Sequence, residues 1–70
     1  MNKKRIEGLK KAVISIFASR PNALMNYKQV AYILGITRSE EKSELLKTLS
    51  DLAGIGIISE VIRGKYRLDT

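Results

Sequence analysis

Asn26 to Glu40 reads NYKQVAYILGITRSE, and the architecture of the whole chain turns on this stretch. Asn26 stands three residues before Gln29, the spacing of a capping box, in which cap and third helical residue each satisfy the other's backbone N–H. The helix so begun, Tyr27 to Leu34, places Val30, Ala31 and Leu34 on one face. Gly35 suits the left-handed conformation that closes a helix. Thr37 and Glu40 repeat the capping spacing and predict a second start. Leu45, Leu49 and Leu52 form the apolar stripe of the helix that follows, with Leu46 and Ala53 alongside. It should fray near Ala53 to Ile55, with Gly54 or Gly56 as its C-terminal residue. Helix, glycine turn and capped helix make the helix-turn-helix arrangement.

Upstream, residues 3–19 predict another helix, because Ile6, Leu9, Val13, Ile16 and Phe17 recur at spacings of three and four. Pro21 biases Arg20 out of the helical region and ends it. Ala23 to Met25 has room for one short strand. Downstream the period changes. Ile57 to Ile62 and Lys65 to Leu68 read as two strands joined at Arg63-Gly64, pairing Ile62 with Lys65, Val61 with Tyr66 and Glu60 with Arg67. Ile57, Val61, Tyr66 and Leu68 then share one face, and Glu60, Lys65 and Arg67 the other. Arg63 is poorly suited to the positive φ of a type I′ turn, so a longer loop with Gly64 left-handed is the alternative. The fold class is α+β: a winged helix-turn-helix, three helices packed against a C-terminal β-hairpin that enlarges an otherwise meagre core. Leu9, Val13, Phe17, Val30, Leu34, Leu45, Leu49, Leu52, Val61 and Leu68 are expected to be buried, with Ile6.

Seventy residues make one domain, 1–70, and 13 Lys and Arg against 7 Asp and Glu give a net charge of +6. Without Cys there is no disulfide framework and no thiolate zinc site; without His, imidazole acid–base chemistry is excluded. The uncharged stretches, Ala12 to Ser19 and Gln29 to Thr37 among them, are far below the ~20 residues of a membrane span. Met1-Asn2-Lys3-Lys4-Arg5 imitates the start of a secretory signal, but Glu7, Lys10 and Lys11 interrupt the apolar region that would have to follow. A cytoplasmic, basic binding module without membrane contact is the expectation.

Asn26-Tyr27-Lys28-Gln29-Val30, Leu34-Gly35-Ile36 and the closing Arg63-Gly64-Lys65-Tyr66-Arg67-Leu68 resemble the N-terminal winged-helix domain of bacterial ribonuclease R. The order of the family's features is followed from about Val13 to Leu68, and the last six residues are the most specific part. Ala53-Gly54-Ile55 departs from the charged residues that the family carries before its Gly. The resemblance implies a parent enzyme that is a magnesium-dependent, processive 3′-to-5′ exoribonuclease, with cold-shock, catalytic and S1 modules following. This chain would then be its excised N-terminal part, partnered by RNA and by the rest of the enzyme, monomeric, and non-catalytic by itself.

The residues bear on chemistry independently. Phosphodiester cleavage assisted by metal needs converging carboxylates, whereas Asp51 and Asp69 are far apart in the expected fold. Glu40 and Glu44 share a helix face, but a cap partner and a dipole complement explain them better than a metal site. Neither cofactor nor metal is expected. The glycines lack a phosphate-binding loop, and no Ser has an activating partner.

Charge is unevenly spread. Residues 1–11 hold Lys3, Lys4, Arg5, Lys10 and Lys11 against Glu7; residues 38–53 carry Arg38, Lys42 and Lys47 against Glu40, Glu41, Glu44 and Asp51. Phosphate contact by flexible cations carries no sequence code, and it suits Lys3, Lys4, Arg5, Lys10, Lys11, Lys28, Arg63, Lys65 and Arg67. Arg38, Ser39, Lys42 and Ser43 are the candidate contacts of the third helix, although the acids among them weaken a reading of bases in a DNA groove. Phe17 and Tyr66 belong to the core pattern. Tyr27 and Tyr32 are less determined: Tyr27 is the best stacking candidate, and a packing role at the helix start suits it equally. Two other readings stand beside RNA binding. One is a winged-helix transcription regulator on duplex DNA; the other is a protein-interaction domain docking through Ile58 and Ile62.

Overall fold

The N-terminal apolar repeat forms α1, Lys3–Ser19, in a computed structural model that describes the backbone of residues 3–69 and the side chains of residues 8–69. Val13 and Phe17 are fully buried and Ile16 nearly so, while Leu9 packs at the core's edge. The side chains of Lys3, Lys4, Arg5 and Ile6 lie outside the described residues. At the C-terminal end the Ser19 hydroxyl donates to the Ile16 carbonyl at 2.8 Å, and the Arg20 N–H donates to that of Phe17 at 3.2 Å. The chain then turns through Pro21. The short strand expected at Ala23 to Met25 reduces to one antiparallel bridge, in which Met25 and Tyr66 exchange N–H···O bonds of 2.8 and 2.9 Å. Met25 is buried there, so the bridge ties the hairpin to the core.

Asn26 caps α2, Tyr27–Leu34, through both bonds of the box. The Gln29 N–H donates to Asn26 Oδ1 and the Asn26 N–H to Gln29 Oε1, each at 2.9 Å. Gly35, at φ 72°, closes the helix. The Ile36 N–H reaches back to Ala31 O at 2.8 Å and the Gly35 N–H to Tyr32 O at 3.2 Å, the paired bonds of a Schellman closure.

The third helix, α3, is Ser39–Gly54, and its start corrects one expectation. Thr37 and Glu40 form no capping box, because the cap position is Arg38, whose side chain makes no capping bond. Closing α2 commits Ile36 to the core, and the chain uses Thr37 and Arg38 to reach the next helix axis. Glu40 therefore falls one residue short of the position that a box requires. Glu40 and Glu41 still occupy the first turn, where negative charge complements the helix dipole. Leu45, Leu49 and Leu52 are buried as expected. Leu46 is exposed, since at ~100° per residue it lies about 60° beyond Leu49 on the helix wheel. Thr48 takes the buried position on the other side, its hydroxyl donating to Glu44 O at 2.9 Å. Of the two candidate glycines, Gly56 is the left-handed one, at φ 84°, with the Ile57 N–H donating to Leu52 O at 3.0 Å.

Strands β1, Ile58–Ile62, and β2, Lys65–Leu68, form an antiparallel hairpin whose register differs from the expected one. Ile62 pairs with Lys65, but Glu60 pairs with Tyr66, Ser59 with Arg67 and Ile58 with Leu68. The pairings of Val61 with Tyr66 and Glu60 with Arg67 do not form, because Val61 is an extra residue in a bulge. Its cause lies in the turn. Arg63 keeps a negative φ and only Gly64 is left-handed, at φ 81°, so a type I′ turn is not made. The bulge supplies the local twist instead. Glu60 Oε2 accepts the Gly64 N–H at 2.8 Å and braces the turn.

Slipping one residue exchanges inside and outside. Ile58 is 1% exposed and belongs to the core, whereas Val61, expected inside, is 47% exposed. Tyr66 and Leu68 pack against the core half-buried, as do Leu34 and Leu9. The result is an α+β fold of three helices and a two-stranded C-terminal hairpin, with α3 packed on α1, α2 and β1. No described helix is long and apolar enough to cross a membrane.

Candidate nucleic-acid interface

The α2–α3 unit places two of the candidate cations in one cleft. Lys28 and Tyr32 are four residues apart on α2, and Tyr27 and Ala31 likewise, so each pair shares a helix face. Together with Ile36 and with Lys42 from α3 they line a cleft of about 270 Å³. On the other side of Ile36, a groove of about 210 Å³ is lined by Leu9, Leu34, Ile36, Glu41 and Glu44. The first two turns of α3 therefore send Lys42 to one side and two of their acids to the other. The sequence pattern had set Glu41 and Glu44 among the candidate contacts of this helix; the fold parts them.

Arg38 and Ser39 are exposed at the start of α3, beside exposed Glu40. Arg38 occupies a position that usually carries Ser, Thr, Asp or Asn, and it brings positive charge to the positive end of the helix dipole. On the hairpin, Arg63 sits in the turn while exposed Lys65 and Arg67 alternate with half-buried Tyr66 and Leu68. The solvent face of β2 is thus basic. On α1, Lys11 is exposed and Lys10 half-buried. Among the described residues, Lys10, Lys11 and the hairpin cations line neither cleft.

The tyrosines separate by environment. Tyr66 is turned inward, and burial, with the nearby Glu60 carboxylate adding to it, raises its phenol above the ordinary tyrosine value. Tyr27, for which the sequence leaves stacking and helix-start packing both open, is half-buried against the core. Tyr32, also undecided by the sequence reading, is 86% exposed. The helix wheel carried the signal: at ~100° per residue Tyr32 lies about 200° from both Val30 and Leu34, opposite the buried stripe. Among the described residues no three or more His, Cys, Asp or Glu side chains gather as they would around a metal ion.

Set against known protein families, curated proteins and solved structures, the chain finds no match in any of the three.

Proposed function

We propose that this chain is a winged-helix module that binds nucleic acid, with RNA as its ligand and without catalysis of its own. The observation that carries this reading is the parting of charge around α3, which leaves Lys28 and Lys42 in a cleft lined by tyrosines and, among the described residues, by no carboxylate. The basic solvent face of β2 and the net charge of +6 add phosphate affinity without a sequence code. The order of three helices and a hairpin supports the winged-helix reading, with β1, β2 and their turn as the wing. By its resemblance to the N-terminal domain of ribonuclease R, the module serves a 3′-to-5′ exoribonuclease by engaging RNA ahead of the catalytic modules. A protein-docking role through Ile58 and Ile62 loses half its basis, because Ile58 is core.

A titration of one protein preparation against single-stranded RNA, duplex RNA and duplex DNA of matched length, at one fixed salt concentration, tests the proposal. RNA should bind more tightly than duplex DNA, with affinity falling steeply as salt rises. Tighter, sequence-dependent binding of duplex DNA would make the protein a DNA regulator, and absence of binding to all three would remove the nucleic-acid reading.

A further inference from the structure

The cleft between α2 and α3 combines features that neither a simple anion site nor an apolar pocket needs. Ala31, almost wholly buried, and Ile36 give it apolar walls, with Tyr27 half-buried beside them. Tyr32 stands at its rim with its ring in solvent, and Lys28 and Lys42 contribute cations from two different helices. A free phosphate would be served by the lysines and could use only the phenol hydroxyl of the tyrosine, never the face of its ring. An apolar ligand would gain nothing from the lysines. At about 270 Å³ the cleft falls below the roughly 300–1,000 Å³ of sites that enclose small molecules, so a planar group laid against its rim fits better than an engulfed one.

Resting on the nucleic-acid reading above, we infer that this cleft is a subsite for one unpaired nucleotide, the base stacked on Tyr32 and the flanking phosphates held by Lys28 and Lys42. Paired bases keep their faces inside the duplex stack, so a ring on a helix surface reaches a base face only in a single strand, loop or bulge. Among the described residues the lining includes no amide or carboxylate, the groups that read adenine and cytosine edges, and the inference gives its lysines to phosphates. The site is therefore tolerant of sequence, because every base has a face to stack. Its direct ligand is single-stranded RNA, and duplexes interact with the module through phosphates alone.

Tyr32→Ala and Tyr32→Phe, each compared with the unaltered chain, test this with three probes: a single-stranded oligoribonucleotide, the same strand annealed to its complement, and inorganic polyphosphate. Because Tyr32 is exposed, both variants should keep the thermal midpoint of the parent. The Ala variant should lose about 5- to 150-fold in affinity for the single strand, the range of one lost base stack, and nothing for polyphosphate or duplex. The Phe variant should retain the parent's affinity. Lys28→Gln with Lys42→Gln should flatten the salt dependence on single strands by about 1.4 log units per decade, two contacts' worth. If the parent binds RNA but Tyr32→Ala leaves the single strand unaffected, or weakens polyphosphate equally, the subsite is overturned while the nucleic-acid reading stands. If the parent binds none of the probes, both fall.

Discussion

Ile58 shows how much one residue's direction decides. Turned inward by the bulge at Val61, it packs with Leu49, Leu52 and Phe17 in one buried cluster, while Ile62, four residues on, is 54% exposed. Ile58→Asp places an unpaired charge in that cluster and should abolish cooperative unfolding at room temperature; Ile62→Asp should leave the melting curve nearly unchanged. Equal effects in a thermal melt would contradict the register. The same strand pair yields a pH prediction. The phenol of Tyr66 ionises at a higher pH in the folded chain than in the unfolded one, through burial and then through Glu60. Its contribution to stability is therefore complete below the unfolded tyrosine value near 10 and is lost as pH rises through the folded value. Denaturant midpoints measured from neutral pH upward should fall in that alkaline range, and fall less in Tyr66→Phe. Residues whose conformation is set by immediate neighbours were legible beforehand: Asn26, Gln29 and Gly35 satisfy backbone groups within one turn, and they stand as read. Val61 was not legible, since its outward direction depends on a strand register set by the burial of Ile58 in the core, where β1 packs on α3.

At the scale of elements, α2 and α3 contrast. The first is capped at both ends by the residues its sequence supplies; the second begins at Arg38 with no side-chain cap. The spacing of Thr37 and Glu40 looked equivalent to that of Asn26 and Gln29. Nothing local distinguishes the two, because the difference arises from how far the chain must travel after Ile36 is anchored. A residue that breaks a local rule on an exposed surface is expected where function outweighs stability. Arg38→Asn supplies the missing acceptor and removes positive charge from the helix start, and should stabilise the fold by about 1 kcal/mol. In a domain of this size that raises the melting midpoint by about 4–8 °C. RNA affinity should fall in the same variant, with a salt slope flatter by about 0.7 log units if Arg38 meets a phosphate. Unchanged stability would mean that the backbone at Arg38 is satisfied by other means; unchanged RNA binding would place the start of α3 outside the interface.

Over the whole molecule, distance turns charge into a test. The fold extends 30 Å along its longest axis, while screening at physiological salt acts over about 8 Å. Cations that touch no phosphate therefore contribute little, and net charge alone will not reproduce the effect of a particular set. Exchanging Lys3, Lys4, Lys10 and Lys11 for Gln removes four charges from one terminus; exchanging Arg38, Lys42 and Lys47 removes three from α3. With each phosphate contact worth about 0.7 log units per decade on a single strand, the first set should flatten the salt dependence by up to about 2.8 and the second by up to about 2.1. Only Lys42 of the α3 set lines the cleft, so the α1 set should also weaken binding more at fixed salt, and about equally across sequences, since phosphate contacts do not discriminate bases. A regulator of duplex DNA requires the reverse, with the α3 set dominant and preference lost at defined base pairs. Salt titrations of the two variants against two unrelated RNA sequences decide between them. Dominance of α3 would move the main surface to the helix pair, while equal effects of both sets, scaled only by charge removed, would reduce the interaction to the field of a basic protein.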